Sequence, residues 1–374
     1  MKKFVSAKKM SLPKLNIFPA ILVLFFSTSL SAQYDFSKVD NWLNENTAQM
    51  GGRSVLMIYK DGKIIYSQAV NDRNRRQQWM SRAVAKRTNE ESSDADYSSS
   101  TKQLIASCSK WYSAALVMTF VDEGKLKLSD TVGRFLPVLS QHGKGNITIN
   151  ECLSHLTGID EPSLRESMNE MRNINSMDES IDNIAKMPME GKPGKTFHYS
   201  NAGLQIAGAV IEKISGKSFE TLFAERIAQP LEMKNSDFGK GKVAMPAGGG
   251  RSTPEDYMHF LEMILNRGAY NGRRILSETS VSEMQINRID KDVRIAYSPA
   301  EAKDFGYGYG EWVMETSTQN DLSTAVTSPG LFGSFPWVDN KRQYCAFLMT
   351  FYLKNEGRNE RYRKLKSLID DAIK

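Results

Sequence analysis

Apolar positions along this chain change period twice. Near the start, Ser54-Val-Leu-Met-Ile-Tyr59 and Lys63-Ile-Ile-Tyr66 are short β-type runs separated by Asp61-Gly62, which predicts a hairpin closed by a tight turn. From Ser107 to about Gln285 the spacing is helical. The segment after Ser107 puts Trp111, Ala114, Ala115, Met118 and Val121 on one face, and 202–214, 219–227 and 253–266 repeat the pattern between Gly and Pro punctuation. Strand-type runs return at 310–314, 331–338 and 344–353, the last two joined by the turn-like Asp339-Asn340-Lys341, and 358–373 reads as a closing helix. Strands at both ends with helices between predict a mixed α/β protein. One sheet built from both termini forms an α/β lobe (33–106 and 300–374), with a helical insertion lobe (107–299) in a single domain over 33–374. A cleft between two lobes is a favoured place for a site.

Residues 1–32 depart from this pattern. Lys2, Lys3, Lys8, Lys9 and Lys14 precede an apolar stretch from Ile17 to Phe26, and Ser29-Leu30-Ser31-Ala32 resembles a cleavage site. This is the pattern of a secretory signal peptide, with an uncleaved anchor as the lesser alternative. The expected location is periplasmic or secreted, with no stable membrane span after cleavage. Without the five leader lysines the 49 Lys and Arg fall to 44, against 43 Asp and Glu. The high isoelectric point is therefore mostly a property of the leader, and nucleic acid is not an expected partner. Cys108, Cys152 and Cys345 are an odd number in an exported chain, give no disulfide framework, and read as small buried groups.

Candidate chemistry centres on Ser107-Cys108-Ser109-Lys110. A hydroxyl and an amine one helical turn apart share a face, and a lysine whose pKa is lowered by burial can take the serine proton. The same spacing at Ser6, Ser11 and Ser99 lacks the apolar helix that follows Ser107, and a helix N-cap is the alternative role for Ser107. A second constellation is Tyr199-Ser200-Asn201, on a loop before a helix. The phenol can relay a proton and the amide can bind substrate or hold the lysine; the alternatives are a packed aromatic and a helix cap. A third is Ser328-Pro329-Gly330-Leu331-Phe332-Gly333, read as the small-residue start of a strand where a backbone N–H, with that of Ser107, can form an oxyanion hole. Its alternative is an edge strand, because Pro336 cannot donate to a ladder. The four histidines are scattered without metal-ligand spacing, and no Gly-x-Ser-x-Gly elbow is present, so neither a metal nor a cofactor is expected.

In this order and setting the motifs resemble the serine β-lactamase-like hydrolases. The matching stretches are Ile105-Ala-Ser-Cys-Ser-Lys-Trp111, Val121-Asp-Glu-Gly-Lys-Leu126, Leu153-Ser-His-Leu-Thr-Gly158 and Pro193-Gly-Lys-Thr-Phe-His-Tyr-Ser-Asn-Ala-Gly203. The nearest groups are class C β-lactamases, D-alanyl-D-alanine carboxypeptidases, family VIII carboxylesterases and nylon-oligomer hydrolases. The resemblance implies a β-lactamase/transpeptidase-like fold with an antiparallel sheet. It also implies an acyl-enzyme on Ser107 activated by Lys110, with Tyr199 as general base and acid. Asn201, Ser328, Gly330 and Leu331 would bind substrate, with the oxyanion hole at the amides of Ser107 and Leu331. The third motif departs from the family: Ser328-Pro329-Gly330 stands where Lys-Thr-Gly or His-x-Gly is usual. A serine supplies no charge for a substrate carboxylate, so the expected substrate is a small ester or amide, with a cell-wall fragment as a candidate source and the 73–87 arginines as candidate replacement cations. The alternatives are a non-catalytic peptidoglycan-binding or sensor protein on the same fold, and a carboxypeptidase or β-lactamase.

Other segments read two ways. Residues 71–101 are a solvated excursion or a basic rim, and 159–192 a surface helix-loop or a lid. Ala247-Gly-Gly-Gly250 is a turn or cleft lining. His155 reads as structural and His198 as a residue that can line the cleft.

Overall fold

The computed structural model describes Met1 and residues 34–88, 95–162, 174–239, 241–317, 323–354 and 356–374. The leader thus lies outside the described residues, as does the middle of the 159–192 segment. Residues Asp35–Lys374 form one unit. Among the described residues no helix is long and apolar enough to cross a membrane.

Seven strands from the two ends of the unit make one antiparallel sheet: β1 (Arg53–Lys60), β2 (Lys63–Asn71), β3 (Gly306–Tyr307), β4 (Trp312–Thr316), β5 (Ser323–Thr327), β6 (Phe335–Asp339) and β7 (Tyr344–Thr350), in the order β2-β1-β7-β6-β5-β4-β3. The β1–β2 hairpin closes at Asp61-Gly62, whose φ values of 51° and 80° suit an Asp-Gly turn. Both faces of β7 are covered, so its residues are buried without alternation. On one face α5 (Pro254–Leu265) stacks Tyr257 on Phe347 with centroids 4.5 Å apart. On the other, α6 (Arg358–Ala372) stacks Tyr362 on Phe335 at 4.1 Å. There Lys366 and Asp370 of α6 join Asp339 in a buried ion network, with Lys366 Nζ 2.7 Å from Asp339 and 3.0 Å from Asp370.

The helical insertion is built around α3 (Ser109–Asp122), which is buried from Ser109 through Phe120. A helix buried all round is a central one. α4 (Ala202–Ser215) packs against it, ending at Gly216 with a left-handed φ of 69°.

The structure corrects one expectation and rules out two alternatives. Residues 328–334 are not the start of a strand: they form a turn between β5 and β6, closed by Gly330 N–H to Ser334 O (2.8 Å) and Gly333 N–H to Gly330 O (2.9 Å). β6 is not an edge strand. It has neighbours on both sides, and Pro336 is tolerated because pairing with β5 stops at Thr327–Trp337, one residue away. Ser107 is not a helix N-cap and makes no capping bond. The 71–101 excursion carries a helix, α2 (Arg75–Thr88), started by a reciprocal pair in which the Asn74 N–H donates to Gln77 Oε1 and the Gln77 N–H to Asn74 Oδ1, both 2.9 Å.

Candidate active site

Ser107 lies in one turn of 3₁₀-helix, Ala106–Cys108, that runs directly into α3. Ala106 has a left-handed φ of 47°, a strained state for a residue with a Cβ. The strain is held by Ser109, whose buried Oγ donates to Ala106 O (2.5 Å) and accepts from Gly250 N–H (2.9 Å). The Ile105 N–H also donates to Gly250 O (2.9 Å). The result is a partly accessible Ser107 between buried neighbours.

Lys110 is 1 % exposed, with Nζ 3.3 Å from Ser107 Oγ, 3.3 Å from Asn201 Oδ1 and 2.9 Å from Ala247 O. Burial lowers its pKa to about 7, against an opposing pull from Glu161. A neutral amine has two N–H donors and one lone pair. The two carbonyl-type oxygens take the donors, which aims the lone pair at the Ser107 hydroxyl. The Asn201 amide cannot turn over without losing its own partner. Glu161 Oε1 accepts from Asn201 Nδ2 (3.2 Å), and Oε2 accepts the Asn201 and Ala202 N–H groups (2.5 and 2.9 Å) at the start of α4. Glu161 therefore orients the residue that orients the lysine.

Tyr199 completes the group. Its hydroxyl is hydrogen-bonded to Ser107, and its ring lies beneath Lys110 Nζ at 4.8 Å from the centroid. Trp312 and His155 pack against the ring at 5.0 and 4.7 Å. Burial pushes the phenol pKa up, so the hydroxyl stays protonated near neutrality. His155 is buried, with its pKa held well below the usual value first by desolvation. Its Nδ1 accepts from Ser200 N–H, so Nε2 carries the proton and donates to Tyr307 Oη (3.0 Å). This is the structural role expected of His155. His198 pairs with Glu190 through Nδ1 at 2.5 Å.

The third motif packs under the nucleophile. Ser328 is buried, and its Oγ lies within bonding distance of Ser107 O (3.2 Å) and Gly310 O (3.0 Å). It thus braces the serine turn from below as the chain heads for Gly330 and Leu331. The carbonyls of the turn are gripped from the sheet and α6: Arg358 Nη1 donates to Leu331 O (3.1 Å), Tyr352 N–H to Phe332 O (2.9 Å) and Tyr362 Oη to Gly333 O (2.9 Å). Among the described residues the Leu331 N–H has no acceptor within the protein.

The structure thus brings Ser107, Lys110, Tyr199 and Asn201 together, sets Ser328 against Ser107, and packs Gly330, which Leu331 follows, against Ile105 and Cys108 on either side of it. Sequence reasoning misses Glu161, which lies within the stretch read as a surface helix-loop or lid. Ala247 falls in the stretch read as a turn or cleft lining, but it acts through its backbone carbonyl, which no side-chain pattern reveals. Cys108 is fully buried and its thiol pKa is raised by burial, so it remains a packed thiol.

The β-lactamase family model matches residues 39–369. The chain belongs to the β-lactamase family. A candidate β-lactamase of Bacteroides dorei superposes with a TM-score of 0.76 at 26 % identity, covering 91 % of this chain and 99 % of that one. EstCE1, described as a hydrolase with promiscuous acyltransferase activity, shares the fold at a TM-score of 0.68 and 18 % identity, over 89 % of this chain and all of that one. Among curated relatives, Rv1367c of Mycobacterium tuberculosis is 26 % identical over 286 residues, 62 % of this chain and 71 % of that protein. Members of this β-lactamase-like fold are generally serine hydrolases, esterases and amidases among them, and the sheet of this chain is the large antiparallel one of that fold.

Proposed function

We propose that this β-lactamase-family protein is an exported serine hydrolase that cleaves a small ester or amide through an acyl-enzyme on Ser107. The observation that carries the reading is the Lys110 amine, buried, lowered to about 7 and 3.3 Å from Ser107 Oγ. Near neutral pH a large share of it is uncharged and fit to act as a base. As Ser107 Oγ bonds to the substrate carbonyl carbon, its proton passes to Lys110 Nζ. The carbonyl oxygen takes up negative charge facing the Ser107 and Leu331 amides. The carbon–leaving-group bond breaks as the leaving group receives a proton through Tyr199, which Lys110 then reprotonates. Water repeats the sequence in reverse on the acyl ester and frees the acid. With its raised pKa Tyr199 stays protonated near neutral pH, so it can pass a proton on but offers no phenolate, which leaves Lys110 as the base that is present in its uncharged form.

The leader pattern supports export. Ser328 in place of a third-motif cation supports a substrate without a carboxylate at that point. Turnover of short-chain p-nitrophenyl esters, lost in Ser107→Ala, is the expected result. Turnover that survives in Ser107→Ala overturns the mechanism. Nitrocefin hydrolysis by the wild type alone moves the substrate class to β-lactams, and saturable muropeptide binding without any turnover favours a binding protein.

A further inference from the structure

Helix α2 supplies none of the groups that surround Ser107 and Lys110, so its arginines are not seen in the place of the missing third-motif cation, and its composition is one-sided. Its 14 residues hold Arg75, Arg76, Arg82, Lys86 and Arg87 and no acidic residue. Arg75, Arg76 and Arg82 are exposed, and Trp79 is 68 % exposed. At about 100° per residue, Arg75 and Arg82 lie to one side of Trp79 and Arg76 to the other, so the three cations flank one indole. The opposite side, at Gln77, turns to the body: Gln77 is half-buried and its Nε2 donates to Ala48 O. The excursion is also firmly held at its base. Asn71 Nδ2 donates to Tyr97 O (3.1 Å), the Tyr97 N–H to Asn71 Oδ1 (2.7 Å), and Arg53 Nη1 to Ala95 O (2.8 Å) beneath a cation–π contact with Tyr97. A clamped helix about 21 Å long thus presents a tryptophan among arginines to the outside.

We propose that this face docks the protein on an anionic phospholipid surface, with the helix lying in the plane of the headgroups. The charge is complementary: Arg75, Arg76 and Arg82 are exposed, and the helix sequence itself contains no acidic residue. The indole selects lipid over other polyanions. Trp prefers the boundary between headgroup and acyl chain, an environment that a sulfated polysaccharide lacks. Docking of this kind is peripheral and adds no span.

Trp79 reports its own insertion. The other four tryptophans, Trp42, Trp111, Trp312 and Trp337, are buried. The full chain is mixed with vesicles of phosphatidylcholine alone or phosphatidylcholine with phosphatidylglycerol, and emission and co-sedimentation are followed. The expected result is a blue shift and binding with the anionic vesicles only, both weakened by salt. Arg75→Glu with Arg76→Glu weakens partitioning by roughly tenfold or more. Trp79→Ala removes the blue shift, and both variants keep wild-type turnover of a water-soluble ester and the wild-type circular dichroism. No binding to anionic vesicles overturns the proposal, as does equal binding by wild type and variants. Binding to dextran sulfate or DNA with no lipid-induced blue shift assigns the face to a polyanion and also overturns it.

Discussion

Replacing Lys110 by methionine separates the cost of burying this amine from its use. In the unfolded chain the lysine titrates near 10.5, and in the fold near 7. Between those values the unfolded chain holds a proton that the folded one has shed, so stability rises with pH there. The rate is about 1.4 kcal/mol per pH unit, or about 3 kcal/mol from pH ~7 to pH ~9. Below pH ~7 both states are protonated and the fold carries the whole penalty, about 5 kcal/mol for the full displacement. Methionine keeps the length and removes the charge, but leaves Ala247 O and Asn201 Oδ1 without this donor, at roughly 1–3 kcal/mol each. At pH ~6 the variant is therefore within a few kcal/mol of wild type on either side, while the slope decides the matter. Urea unfolding at pH ~6 and ~9 compares the two, since the other titrating groups are common to both. The expected wild-type gain exceeds the variant's by about 3 kcal/mol, with ester turnover lost in the variant. Parallel pH dependences, or a Lys110→Met protein that still turns over, would refute the reasoning.

Three further changes probe the surrounding contacts. Tyr199→Phe keeps the ring against Trp312 and His155 and removes only the hydroxyl, so kcat falls about 10²–10⁴-fold while circular dichroism is unchanged. Glu161→Gln removes the negative charge that holds the Lys110 pKa up, so the acid limb of the kcat/KM–pH profile moves to lower pH; a shift to higher pH contradicts the assignment. Asp339→Ala removes the fully buried carboxylate shared by Lys366 and Arg342 and leaves Asp370 to serve both, and urea unfolding should show a loss of about 3 kcal/mol with activity retained in the folded fraction.

Much of this arrangement is legible in the sequence, for physical reasons that also explain what is not. The hairpin is readable because Asp61-Gly62 can hold positive φ, α3 because it is a long run free of Gly and Pro, and α4 and α5 because each is long and apolar at helical spacing. β7 reads as an uninterrupted apolar run because both its faces are covered. β5 escapes notice because Ser323-Thr-Ala-Val-Thr327 is short and takes its place through its neighbours on either side. Residues 328–334 look like a strand because apolar Leu331 and Phe332 precede β6, yet Gly333, at φ 92°, bends the chain. The reacting side chains are found by motif. The groups that aim them, a carbonyl from Ala247 and a carboxylate from Glu161, meet them only through the fold.

The central claim is a covalent bond to Ser107, and intact-mass spectrometry tests it most directly. The protein is mixed with a slowly deacylating p-nitrophenyl ester or a fluorophosphonate, quenched in acid, weighed and digested. The account predicts one adduct, on the peptide containing Ser107, absent in Ser107→Ala and much slower to form in Lys110→Met. An adduct on any other residue, or turnover of ester with Ser107 unmodified and dispensable, would contradict it.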